Sequence, residues 1–409
     1  MRPDPHELPE LVRDLHVQGS AWVPAGQDSR LAWGASLQQP CAVLSCARLN
    51  RILEHNPGDF TVSVEAGMPL QELQQALAPH RQWLALDDPW GSAALGAGSI
   101  GGLVARGLAG GYRQRYLGVR DQLIGIGVLR ADGVAARAGG RVVKNVAGYD
   151  LMRLFAGSWG SLGLITELTL RTLPLPTHRR ALLVQGPLQE LAPLARWLLG
   201  SSLTPERVDL WSAALAALAG LPAQPLLLIA LASVAEESLE EQAAAIAERT
   251  TLSLRPLSAE ELEPLLATAR GGSISGGRTG GDPLLEPGWL LRLGVKPDAL
   301  SDLLQAPQLA AVPVDLAAGS GLGHGWGPAG ALDAGRVEAL RRRCIELGGW
   351  LMVLRQPQGV GLPAWSDAPS RPWIEAVKRQ FDPLGQLAPG RLPGVAAPAV
   401  PAQTAAPAA

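Results

Sequence analysis

Short apolar runs broken by turn residues set the pattern of the first third of the chain. Ala42–Ser45 is an apolar run of strand length, and residues 61–67 alternate with period two, Val62 and Val64 on one face. Pro69 suits a first helical turn, and Leu70, Leu73 and Leu77 draw one apolar stripe through Ala78. Leu123–Leu129 reads as a buried strand stopped by the turn residues Ala131, Asp132 and Gly133. Residues 162–173 give the clearest strand pattern, and Pro174 and Pro176 end it, which predicts a domain boundary. Beyond it, strand patterns at 181–185, 226–231, 289–295, 312–316 and 350–354 interleave with helical ones at 188–199, 236–250 and 332–347. That interleaving predicts a second α+β unit. Inside it, 271–281 holds six glycines in eleven residues and reads as a flexible insert, while the uncharged tail 394–409 reads as disordered.

Composition narrows the functional classes. The 409 residues allow two or three domains. With 47% hydrophobic and 18% charged residues and a net charge of −2, the chain reads as a soluble globular protein with no basic excess for nucleic acid. The longest apolar stretch, 226–232, is too short to cross a bilayer. Asp4, Glu7 and Glu10 stand where a signal peptide would be basic and then apolar, so a cytoplasmic location is expected, with any membrane association arising through partners. The cysteines, Cys41, Cys46 and Cys344, form no CxxC and cannot alone hold a four-cysteine zinc or iron–sulfur site; the six histidines form no HxxxH or HExxH. No metal site is expected.

Glycine changes the picture. The 48 glycines cluster between Gly91 and Gly163, where strand patterns flank them. Gly96, Gly98 and Gly101 make a formal GxGxxG with Asp121 twenty residues on, but a nicotinamide fingerprint needs a strand before it and a long helix after it. Turn-like residues precede it here, and Gly107, Gly110 and Gly111 would interrupt such a helix. The other reading is a backbone cradle: successive main-chain N–H groups in tight loops meeting the paired anions of a diphosphate. Four blocks could serve, residues 25–29, 98–102, Gly110 with Gly111, and 157–163. Taken singly, each is equally a set of glycine turns.

Taken in order, these blocks resemble the flavin domain of the vanillyl-alcohol oxidase (PCMH-type) family. The resemblance rests on VSVEAGMPL from Val62, LDDP from Leu86, GSIGG from Gly98, Arg120-Asp121, GGRVVKNVAGYDL from Gly139 and GSWGSLGLITE from Gly157. The KNVAGYDL block, with Phe381-Asp-Pro and Pro389-Gly-Arg391, is similar to FAD-binding subunits of bacterial glycolate oxidases. The resemblance is dense over about 20–176 and returns at about 375–392. It implies an α+β fold: a two-subdomain FAD-binding domain over 1–176, an α+β cap over 177–374, and a segment 375–393 returning to the flavin domain. It implies non-covalent FAD, held by Gly26, Gln27 and Ser29 in a first pyrophosphate loop, Ser99, Gly101 and Gly102 in a second, Gly110 in the turn after it, and Gly157, Ser158, Gly160, Leu162, Gly163 and Ile165 along the cofactor. Arg120, Asp121, Lys144 and Asn145 fall in its blocks with roles open between flavin contact and loop-supporting ion pairs. No His lies in the first loop and no Cys between Gly91 and Gly163, which argues against covalent flavin.

Two departures stand out. Asp28 occupies a position where the first loop usually carries glycine, and an acid beside a diphosphate is unfavourable unless it turns outward and caps a local N–H. Ala388 sits where related chains place a polar residue. The implied chemistry is oxidation of a 2-hydroxy acid such as glycolate or D-lactate, which needs a cation for the carboxylate and a base near the flavin. The catalytic chains of the family carry a histidine- and acid-rich cluster in their second half; here that half offers only His178 and His324, the latter expected as a solvent-facing residue of a glycine loop. Arg355 and Arg391 are candidate carboxylate clamps, and the catalytic residues stay unassigned. Two readings follow: a flavoprotein subunit beside a second flavin subunit and an iron–sulfur subunit, which the resemblance favours, or a stand-alone flavin-dependent 2-hydroxy-acid dehydrogenase.

Overall fold

The fold is given by a computed structural model, which describes residues 1–87, 98–141, 149–270, 288–328 and 330–397. The insert 271–281, Lys144, Asn145 and most of the 394–409 tail lie outside the described residues.

Strands β1 (Trp22–Ala25) and β2 (Ala42–Ser45) pair in parallel. Five further strands form an antiparallel sheet with β3 (Ile52–Asn56), β4 (Thr61–Glu65), β6 (Leu123–Leu129), β7 (Ala135–Gly139) and β8 (Leu164–Arg171) in the order β3-β4-β8-β6-β7. β5 (Gln82–Trp83) pairs separately with β9 (Leu173–Pro174). Pro174 therefore does not end the pairing at once: its carbonyl serves Trp83 Nε1 at 3.1 Å, and only the chain beyond it leaves the sheet. Central β4 and β8 are joined across their buried face by Ser63 and Thr169, opposite each other and bonded hydroxyl to hydroxyl at 2.8 Å. Leu70, Leu73 and Leu77 of the helix Leu70–Leu77 pack into the same core as Ile100, Leu103 and Val104 of the helix Ile100–Arg106. The second helix stops where the glycine pattern predicts, at Gly107 with φ +61°.

The second half builds one eight-stranded sheet from β10 (His178–Gln185), β11 (Pro205–Trp211), β12 (Leu226–Ser233), β13 (Leu254–Leu257), β14 (Gly288–Gly294), β15 (Val314–Ala317), β16 (Leu322–Pro328) and β17 (Trp350–Arg355). Its order is β13-β10-β12-β11-β15-β16-β14-β17, every neighbour antiparallel. Alternate residues cover two faces. Leu182, Val184, Val208 and Leu210 pack under the helices Leu188–Gly200, Glu236–Arg249 and Ala334–Glu346. Trp211, Leu228 and Trp326 look the other way, into a cluster that also holds Trp33, Leu108 and Trp159 of the first half. The sheet therefore roofs the first half of the chain, giving the expected α+β class.

Two strands escape the apolar pattern. β11 carries Glu206, Arg207 and Asp209, yet all seven of its residues are buried. β16 contains His324, which is thus 3% exposed in a central strand, not solvent-facing in a loop. After the helix Arg371–Phe381 the chain returns to the first half: Trp22 N donates to Gln386 O at 2.9 Å and Ala388 N to Trp22 O at 2.8 Å. Gln386 Nε2 donates to Leu15 O, and Lys378 Nζ donates to the carbonyls of Ser161 and Leu387 and to Asp382.

Candidate functional site

A cleft opens where the chain leaves β1 and crosses the helix Ile100–Arg106, and it encloses about 800 Å³ of open space, mouth included. Of the residues expected to meet FAD, the cleft gathers Gly26, Gln27 and Ser29, then Ser99, Gly101 and Gly102, then Gly160, Gly163 and Ile165. Four are placed elsewhere. Gly110 packs on Asp87, whose carboxylate oxygen lies 2.3 Å from where a Cβ would stand. Gly157 turns at φ +84° and donates its N–H to Val104 O. Ser158 is buried outside the cleft, and Leu162 belongs to the apolar core.

The first loop is tied down by everything except its own amides. Ser45 Oγ donates to Gly26 O at 3.0 Å, and Gln27 Nε2 donates to Gly67 O at 2.7 Å. Among the described residues, the backbone N–H groups of Gly26, Gln27, Asp28 and Ser29 donate to nothing. Backbone donors in protein interiors are nearly always paired, so four successive free amides lining a cleft suit an anion with many acceptor oxygens. The second loop behaves differently. Ile100 N is engaged by Met68 O, Gly101 N by Ala66 O and Gly102 N by Ser99 Oγ. Its glycines serve close packing: a Cβ on Gly101 would lie 2.7 Å from Ala66 O, and one on Gly26 would lie 1.9 Å from Ser99 Oγ. Glycine here lets the two loops approach each other, where the sequence suggested clearance for a ligand.

Sequence reasoning missed Arg30, Arg106 and Trp159, which also line the cleft. The guanidinium groups of Arg30 and Arg106 lie over the Trp33 ring, 5.4 and 5.6 Å from its centroid, and add positive charge beside the free amides. No spacing announced them; only the position of Arg30 directly after the first loop was a signal. Asp28 neither turns outward nor caps a local N–H. Its Oδ2 accepts from Arg2 Nη2 at 3.3 Å, while its Oδ1 is buried without a hydrogen-bond partner. Cys46, in the cleft wall, is no nucleophile, because burial, helped by Asp28, pushes its thiol up to about 12. Arg120 sits 3.9 Å from Asp121, whose other oxygen accepts from Gly118 N, so this pair supports a turn.

A second cluster lies where the roof sheet meets the first half. Arg207 of β11 donates through Nε to Asp209, stands 3.0 Å from Asp87 and reaches within 3.8 Å of Asp315 on β15. All four side chains are at most 4% exposed. Burial is the largest single influence and works against charge on Asp87, but Arg207, Arg270 and the Gly111 N–H act with lesser influences to hold this carboxyl below its ordinary range. Burial pushes Asp209 up to about 6 against the pull of Arg207. Burial, and then the charge of Asp209, push Asp315 well above the usual carboxylate range. Arg292 of β14 donates to the carbonyls of Ala109 and Gly323, and burial lowers it to about 10. The guanidinium groups of Arg207 and Arg292 thus share one buried region with Asp87, Asp209 and Asp315. Burial lowers His324 to about 4; its ring is therefore neutral and donates Nε2–H to Ala269 O at 2.7 Å. The expected carboxylate clamps are also engaged. Arg391 donates to the carbonyls of Leu31 and Ala35, and Arg355 Nε donates to Gly288 O at 3.3 Å.

Comparison with known proteins agrees with this geometry. Residues 3–139 match the FAD binding domain family. The chain is 35% identical over 192 residues to the glycolate oxidase subunit GlcE of Escherichia coli K12, covering 46% of this chain and 53% of that one. It is 37% identical over 182 residues to a D-2-hydroxyglutarate dehydrogenase of Xanthomonas citri pv. viticola (44% and 38%), and 33% identical over 205 residues to a mitochondrial D-lactate dehydrogenase [cytochrome] of Arabidopsis thaliana (50% and 35%). The chain thus spans about half, or less, of the length of these curated relatives. In fold it is similar to an alkyldihydroxyacetonephosphate synthase, with a TM-score of 0.68 over 95% of this chain and 75% of that one at 14% identity. Residues 3–139 thus carry an FAD binding domain, and FAD is the cofactor that this domain and the relatives support.

Proposed function

We propose that the chain is the FAD-holding subunit of a 2-hydroxy-acid dehydrogenase complex acting on glycolate, beside a second flavin subunit and an iron–sulfur subunit. Residues 1–176 and 375–393 form the flavin-holding unit in this reading, and 177–374 form the cap. Bound FAD supplies hydride or electron transfer. The chain's part is to bind and shield it non-covalently. The free amides of residues 26–29 donate to the diphosphate, Arg30 and Arg106 offset its charge, and Trp159 helps to close the cleft to water. Among the described residues no helix is long and apolar enough to cross a membrane, so contact with one would come through partners.

The observation that carries the subunit reading is the state of the cap's charged groups. A substrate carboxylate needs a cation with a free face, yet in the cap Arg207 is bracketed by Asp87, Asp209 and Asp315, and Arg292 and Arg355 are turned to backbone carbonyls. His324 is neutral and bonded, a poor site for a base exchanging protons with substrate. The test is dye-linked glycolate oxidation by the purified chain, alone and after co-expression with its neighbours, alongside acid release of the flavin. About one FAD per chain with turnover only in the complex is expected. Rapid turnover by the chain alone would favour a stand-alone dehydrogenase and end the subunit reading.

A further inference from the structure

An acid sits in the loop that has the free amides. Asp28 adopts φ +60°, the left-handed conformation glycine takes without cost and Asp tolerates, so the loop keeps its path while gaining a negative charge inside the cleft. A counter-charge arrives from the other end of the sequence segment. Arg2 Nη2 donates to Asp28 Oδ2 at 3.3 Å. Arg2 is also aimed, because Ser45 N donates to Met1 O at 2.9 Å while the same serine's hydroxyl holds Gly26 O. Asp4, two residues on, pairs with Arg48 at 2.7 Å and secures the segment from its other side. One residue, Ser45, therefore sets the register of both the diphosphate loop and the arginine that faces its acid.

We propose that Arg2 is a positioning residue for FAD binding: by holding and neutralising Asp28, it lets the 26–29 loop receive a diphosphate despite an acid in a glycine position. This rests on the reading that the diphosphate lies at residues 26–29. An arginine 66% exposed neutralises incompletely, so its effect is a modest one on affinity and not an all-or-none switch.

The test measures FAD affinity of the flavin-stripped full chain by quenching of flavin fluorescence, together with the melting temperature of the flavin-free protein. Arg2→Gln is expected to raise Kd by about fivefold, the upper range for an exposed charge pair. Arg2→Lys should stay within about twofold of the parent, since charge and not fork geometry is needed. Asp28→Asn should leave affinity equal or tighter, and Arg2→Gln with Asp28→Asn should return to the parent value, all with unchanged melting of the flavin-free protein. A double variant as weak as Arg2→Gln, or a weakened Asp28→Asn, overturns the proposal; the second result would make the Asp28 carboxylate itself a contact for the cofactor. Gly26→Ala serves as the control. Unchanged affinity in Arg2→Gln with lost affinity in Gly26→Ala refutes the role of Arg2 alone, whereas unchanged affinity in both removes the diphosphate from this loop and the proposal with it.

Discussion

Replacing Arg207 with Met tests whether the cluster between roof sheet and flavin unit is held by charge. Met keeps an unbranched apolar stem but leaves Asp87, Asp209 and Asp315 around a neutral side chain. Removing one partner of a buried ion pair costs about 3–5 kcal/mol, because the remaining charge is stranded. The pH dependence carries the sign. Asp209 is already raised to about 6 with Arg207 beside it, and without that cation its folded-state value climbs further. A carboxyl whose folded value lies above its unfolded one gives stability that is full below the unfolded value and falls as pH rises through the folded one. Arg207→Met should therefore cost less at pH 5, where Asp209 takes a proton and only Asp87 is stranded, than at pH 8, where the loss reaches about 3–5 kcal/mol. Urea unfolding followed by tryptophan fluorescence reads this directly, since Trp211 lies in the same strand. Asp209→Asn added to Arg207→Met should recover about 1–2 kcal/mol at pH 8 by removing the stranded charge. A loss below about 1 kcal/mol at pH 8, or an equal loss at both pH values, would refute the account.

Two further outcomes follow from the same structure. Gly26→Ala should lower FAD affinity at least tenfold, because its Cβ would lie 1.9 Å from Ser99 Oγ; Ser99→Gly in the same chain should restore part of it, glycine being an adequate helix cap, and no rescue would count against a steric cause. His324, lowered to about 4 by burial, gives stability that is present above the unfolded value near 6.5 and lost as pH falls towards 4; its ring proton resonances should stay still between pH 8 and pH 5, and a midpoint near 6 would contradict its burial.

Local pattern was enough for elements whose stabilisation is local. Ala42–Ser45 and Leu123–Leu129 have the bounds that their apolar runs predict, and the helix after Pro69 follows its leucine stripe. β11 was illegible because Glu206, Arg207 and Asp209 look like a solvated face; in the fold Arg207 meets Asp209 and also Asp87, more than a hundred residues away, while Glu206 meets Arg179. The glycine blocks named loops of which the structure gathers three at one cleft, but spacing does not say which side of a turn faces a ligand. Gly110, Gly157, Ser158 and Leu162 consequently sit behind the cleft wall, and Gly101 makes room for Ala66. Arg2 could not be connected to Asp28 without Ser45, which brings their two segments together.

The return of the last segment to β1 sets an order of events during synthesis. Trp22 finds its bridging partner in Leu387, and Arg391 braces the carbonyls of Leu31 and Ala35 just beyond the first loop. A ribosome that has released only the first half of the chain has made every amide of that loop and its ties to Ser45 and Gly67, but not the braces from Leu387 and Arg391. A product ended before Leu387 would lack those braces and is expected to purify with less flavin absorbance than the full chain, whereas equal flavin content would show that the braces do not matter to it.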